Sequence, residues 1–149
     1  ATTISFTTGT AGLTNGQNVR ILVTNPDGNA ARSSTDLVVS DGPVFVTTSL
    51  PNGESNTAYS QNIDVTGDSA VTIGTSVVSG ALPAGITIGS TTNPAGNTYR
   101  AVISGTMPTI TSQTVYSFTV RATDAQGQTT DQALSITSTA GIQNAGGFC

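Results

Sequence analysis

Residues Ser79–Gly89 read SGALPAGITIG, and Ile103–Pro108 read ISGTMP. Two prolines and four glycines interrupt what is otherwise strand-forming sequence, and they do so twice in similar words. Pro83 has no amide hydrogen to give to a sheet, and Gly85 accepts backbone angles closed to other residues. LPAG can therefore turn while Leu82 and Ile86, on either side of it, face a core. Gly105 and Pro108 supply the same chemistry at a second corner. Such breaks predict short strands that pass between two sheets, not a few long strands in one.

The rest of the chain repeats that rhythm. From Pro43 onward seven segments read as strands: VFVTTS (44–49), AYSQNIDVTG (58–67), AVTIGTSVV (70–78), GITIG (85–89), TYRAVISG (98–105), VYSFTVRATD (115–124) and TTDQALSIT (129–137). In the sixth, Tyr116, Phe118 and Val120 alternate with Ser117, Thr119 and Arg121, the period of a half-buried strand. In the second, Gln61 interrupts the apolar series of Tyr59, Ile63 and Val65. Seven short strands without a helical period describe a two-sheet sandwich.

Residues 1–42 hold about three further strands, TISFT (3–7), NVRILVT (18–24) and STDLVVS (34–40), with turns at TNGQ (14–17), NPDGN (25–29) and DGP (41–43). Three strands fall short of a closed sandwich. They are expected to be part of a domain that begins outside this chain or is completed by another subunit, since open sheet edges invite aggregation. The organisation expected is a β segment at 1–42, a sandwich at 43–137 and a loose Gly- and Ala-rich tail at 138–149. The start at Ala1, without Met, suggests a processed end or a fragment boundary.

Composition supports an all-β chain. There are 28 Thr and 16 Ser but only six Leu, so the apolar stock is mainly Val, Ile and Ala, residues that suit a pleated surface. Charged residues make up 8% of the chain, against roughly 25% in ordinary domains. With four Arg, no Lys and a net charge of −4, the surface cannot neutralise many phosphates, so no nucleic-acid partner is expected. No apolar run approaches the roughly 20 residues of a membrane span, and no membrane partner is expected.

Four motifs in register, PNGESNTAYSQNIDVTG, ALPAGITIG, ISGTMP and YSFTVRATDAQGQTTDQALSIT, resemble the Ig domain of the He-PIG type over residues 45–137. The departures are small: Ile86 stands where Leu is usual, and Met107 is an insertion before Pro108 that lengthens a loop. The resemblance implies an Ig-like, cadherin-like two-sheet β-sandwich. VRILVTNPDGNAARSSTDLVVSD resembles the closing half of a TIG-type Ig-like domain over residues 17–41. The order of the two is similar to tandem modules of virion proteins from marine tailed phages, and such tandems also occur in bacterial surface adhesins.

Reactive groups are scarce. The absence of His excludes serine triads, cysteine–histidine pairs and His-based zinc sites, and the absence of Lys excludes Schiff-base chemistry. Carboxylates are the only remaining catalytic apparatus. Glu54, Asp64 and Asp68 are candidates to converge, but they are read in or beside turns, where Asp bonds its own backbone. No enzyme activity and no cofactor are expected. Asp124, in ATDAQG (122–127), resembles the strand-end acidic motif of cadherin-like domains and is the single calcium candidate, weighed against a plain hairpin-turn role. Calcium takes six to eight oxygens, and no Asp-x-Asp spacing occurs.

The lone Cys149 permits no internal disulfide and is expected to be an unpaired end rather than an interchain bridge. No Asn-x-Ser/Thr acceptor occurs. Among the aromatics, Tyr116 and Phe118 are expected in the core, whereas Tyr99 beside Arg100 is a candidate exposed spot for a glycan. The function expected is a non-enzymatic structural module of a bacteriophage virion, in a decoration, fibre or tail component, with neighbouring copies or other virion proteins as partners. The alternative is a spacer or binding module of an adhesin at the bacterial cell surface, with a cell-surface glycan as partner.

Overall fold

The structure is a computed structural model that describes residues 17–20, 22–24, 26–32, 37–38 and 41–141. TISFT, most of the turn at 14–17, and residues 142–149 with Cys149 lie outside the described residues. The chain divides between Asp41 and Gly42 into two units. In the first, β1 (Asn18–Val19) pairs antiparallel with β4 (Leu37–Val38), and β2 (Leu22–Thr24) with β3 (Ala30–Arg32). Residues 26–29 lie in the turn of the β2–β3 hairpin, where Asp27 Oδ1 accepts the Asn29 amide at 3.2 Å. The segment read as one strand, NVRILVT, thus serves two small sheets. Leu22 and Val23 are both exposed.

The second unit is an all-β sandwich of two five-stranded sheets. One sheet runs β10 (Ile86–Ile88), β12 (Thr98–Thr106), β7 (Ala58–Thr66), β5 (Val44–Phe45), with β11 (Thr92–Ala95) also on β12. The other runs β6 (Gly53–Glu54), β14 (Thr129–Thr139), β13 (Thr114–Asp124), β8 (Val71–Ile73), with β9 (Ser79–Gly80) also on β13. Every pairing is antiparallel except β6 with β14, where Ser138 and Thr139 lie beside Gly53 and Glu54 in parallel. No helix occurs among the described residues, so none is long and apolar enough to cross a membrane.

Alternate residues meet in the core: Ile63 and Val65 of β7 and Ala101 and Ile103 of β12 from one sheet, Val120 and Ala122 of β13 and Ile136 of β14 from the other, all fully buried. Phe118 joins them, but Tyr116 is only half-buried, although its cross-strand partner Ile136 is fully buried. Gln61 keeps its place on the inner face of β7, half-buried. AVTIGTSVV is not one strand. Residues 119 and 122 of β13 are three apart, whereas their partners Ser79 and Ile73 are six apart, so 74–78 bulges out between β8 and β9. Strand β14 extends past 137, since Ser138 is fully buried and paired on both sides.

The two broken motifs are neighbours in space. Ile86 pairs with Gly105 where β10 meets β12. A Cβ on Gly105 (φ +147°) would collide with the Gly85 carbonyl oxygen, and one on Gly85 (φ +85°) would lie 2.7 Å from the Thr106 carbonyl oxygen. The corners therefore interlock backbone to backbone. Met107 directly follows β12. It is 1% exposed and lies flat on Gly53, where an added Cβ would be 2.9–3.0 Å from its Cε, Sδ and Cγ.

Candidate functional site

Glu54, Asp64 and Asp68 do not form a site, and no group of three or more His, Cys, Asp or Glu side chains among the described residues could hold a metal ion. Asp64 lies within β7, not at a turn, and its outward side chain meets Arg100 across the strand pair. Arg100 Nε and Nη2 donate to Asp64 Oδ1 and Oδ2 at 2.6 and 2.8 Å. On the other sheet Arg121 Nε and Nη2 donate to Asp131 at 2.7 Å each, again directly across a strand pair. Both arginines of the sandwich are thus held as forks on carboxylates of the same chain.

Hydrogen bonds from Arg100 hold the Asp64 carboxyl below the usual carboxylate range, and those from Arg121 do the same for Asp131. A depressed folded pKa means that the unfolded chain binds protons first as pH falls. The stability these pairs contribute is present above the ordinary carboxylate pKa of about 4 and is lost as pH drops through the lower folded values. In urea unfolding between roughly pH 6 and pH 2, the wild-type midpoint should fall mainly below pH 4, and Asp64→Asn should flatten that fall. Equal slopes would refute the assignment.

Tyr99 and Arg100, adjacent on β12, point to opposite faces and do not form one exposed spot. Tyr99 packs half-buried against the core and lines an open cleft of about 360 Å³ with Val71, Ile73, Thr75 and Ser90. Thr91 clips this cleft to β8, its Oγ1 accepting the Ile73 amide at 2.8 Å and donating to the Ile73 carbonyl at 3.3 Å. A second open cleft, of about 480 Å³, lies between Thr48–Leu50 and the strand residues Ala133–Ser135, with Ser117 and Thr119 in its wall. Neither cleft is lined by an acid or a base.

Asp124 closes the β13–β14 hairpin. Its Oδ1 accepts the amides of Gln126 and Gln128 at 2.9 and 2.8 Å, and its own amide donates to the Gln128 carbonyl. Oδ2 is buried without a protein hydrogen-bond partner. A hydrogen-bonded carboxylate of this kind contributes about 1–3 kcal/mol. Asp124→Ala should lose that much whether calcium is present or not, and calorimetric titration with millimolar calcium should show no heat. A calcium-dependent rise in the wild-type Tm would overturn this.

The sandwich boundary at Gly42, the parallel β6–β14 contact and the two interlocked Gly-Pro corners fall within one family match. The He-PIG profile, described as "Putative Ig domain", matches residues 42–139. The chain belongs to the He-PIG family. The He-PIG domain so defined is the Ig-like β-sandwich described above, and such a domain serves as a structural or binding module. No curated protein matches this chain. Among solved structures, an endo-fucoidan hydrolase from glycoside hydrolase family 107 is similar, with a TM-score of 0.51 and 18% identity over 87% of this chain. The chain spans 23% of that enzyme's length, and the likeness is one of fold.

Proposed function

We propose that the chain is a non-enzymatic structural module of a bacteriophage virion, a decoration, fibre or tail component that acts by packing against neighbouring copies or other virion proteins. The observation that carries this reading is the disposition of charge. The only two arginines after residue 42 are both locked on carboxylates of their own strand pairs, and much of the remaining surface is Thr and Ser. Lateral contact then strips water from few free charges, the costliest groups to desolvate. The resemblance of the TIG-like and He-PIG order to phage tandems supplies the virion. Antibody against the chain should decorate purified particles at regular spacing in electron micrographs, with the intact mass recovered from the same particles. Particles that lack the chain, together with a protein that stays monomeric at high concentration, would refute the reading.

A second reading, a spacer or glycan-binding module of a bacterial surface adhesin, draws on the Tyr99 cleft and on the fold shared with part of a polysaccharide-acting enzyme. That cleft lacks the cations a sulfated glycan would require, so a neutral glycan is the ligand class it suits. A glycan-array signal abolished by Tyr99→Ala would favour this second reading.

A further inference from the structure

The chain has four arginines and no lysine, so a protease that cuts after basic residues has four bonds to attack. The fold treats these four unequally. Arg100 is paired on both sides, with Asp64 of β7 and Thr92 of β11, and Arg121 with Asp131 of β14. The carbonyl a protease would attack accepts Thr92 Oγ1 at 3.2 Å at Arg100 and the Gly74 amide at 2.8 Å at Arg121. Both guanidinium groups are forked onto carboxylates of the same chain. The residues that follow, Ala101 and Ala122, are fully buried. A protease acts on chain that has opened, and the opening must free residues on both sides of the bond. At Arg100 or Arg121 that means drawing a central strand out of its sheet, which takes the sandwich apart.

Arg32 is placed differently. It ends β3, three residues long and exposed throughout. That strand has a single neighbour, β2, in a sheet of two. Opening it breaks few hydrogen bonds and uncovers no core. Arg32 makes no ion pair or side-chain hydrogen bond among the described residues, so its guanidinium is available to the acidic pocket with which trypsin-like enzymes select a basic side chain. Two alanines precede it and Ser33 follows it in the sequence, none of them bulky. Arg20, the fourth arginine, takes part in an interaction of its own.

We propose that Arg32 is a processing site, cut by an arginine-directed protease of the trypsin class. Water adds across the Arg32–Ser33 amide, leaving a carboxylate on Arg32 and an amine on Ser33. The break falls within the first unit, ahead of Gly42, where the second begins. The strands of the sandwich start at Val44 and pair only among themselves. Residues 33–149 therefore leave as one fragment with the sandwich whole. The site is independent of whether the module serves a particle or a cell surface.

The test is digestion of the full chain with a trace of trypsin, followed by intact mass. One early product, beginning at Ser33, should accumulate, with Arg32 cut at least a hundredfold faster than Arg100 or Arg121. Arg32→Gln should abolish that product. In urea above the unfolding midpoint all four bonds should be cut at similar rates, because only the fold shields Arg100 and Arg121. A smaller ratio in the native protein, or first cleavage after Arg20, overturns the proposal. So does a chain left uncut at Arg32 until the sandwich melts. Protection of Arg100 and Arg121 that persists in urea would place its cause in local sequence and overturn it as well. A 33–149 fragment that melts well below the sandwich of the intact chain would show that the cut does not spare it.

Discussion

Replacing Gly105 by alanine should come close to unfolding the sandwich. The position has φ +147°, a region that side chains rarely enter, and the new Cβ would be driven into the carbonyl of Gly85. A disallowed dihedral costs about 1–3 kcal/mol, and overpacking against fixed backbone costs about 1–3 kcal/mol more. Relief would need β10 to move off β12, because Ile86, paired with Gly105, carries the buried face of β10. A loss of about 4 kcal/mol is a large part of the ~5–15 kcal/mol that holds a domain together. It should lower Tm by roughly 15 °C or more. Gly89→Ala is the control, since its added methyl would sit 3.4 Å from the Val102 carbonyl with ordinary backbone angles. If Gly105→Ala melts beside wild type, the interlocked corners are not as described.

Met107→Ala should be the next most damaging change, at about 3 kcal/mol for a fully buried side chain truncated to alanine. The cavity would open directly beneath Gly53, which Met107 now supports, and so beneath β6, which pairs with the end of β14. Besides a lower urea midpoint, the Ser55 amide, bonded to the Thr139 carbonyl at 2.9 Å, should exchange faster than the β13–β14 amides. Met107→Leu, similar in volume, should cost less than about 1.5 kcal/mol. A Ser55 amide unchanged in Met107→Ala would mean that β6 does not depend on this support.

The corners were legible because proline and glycine have few conformations to choose from, and the long strands because their alternation is clean. That Gly85 and Gly105 touch was not legible, since each glycine is explained by its own turn and nothing local couples them. Met107 sits between Thr106 and Pro108, where no period marks an inner face, so its burial escaped notice. Strand β6 is two residues of Gly and Glu with poor strand propensity, held by partners at 138 and 139, far along the chain. Asp64 was read beside a turn although its strand was read through to Gly67, because the cross-strand Arg100 that accounts for it lies 36 residues away. Asp124 was legible as a turn residue, but the buried, unpartnered Oδ2 was not.

The path of the chain through the sandwich has a mechanical consequence. Gly42 enters beside Gln128 and Thr130, at the start of β14, and Gly141 leaves beside Glu54 and Ser55, at its end. Eleven residues of strand span roughly 35 Å, so a tug on the two ends would load the molecule lengthwise and shear its strands past one another instead of unzipping them one bond at a time. A thread of such links would stretch little before it gave way.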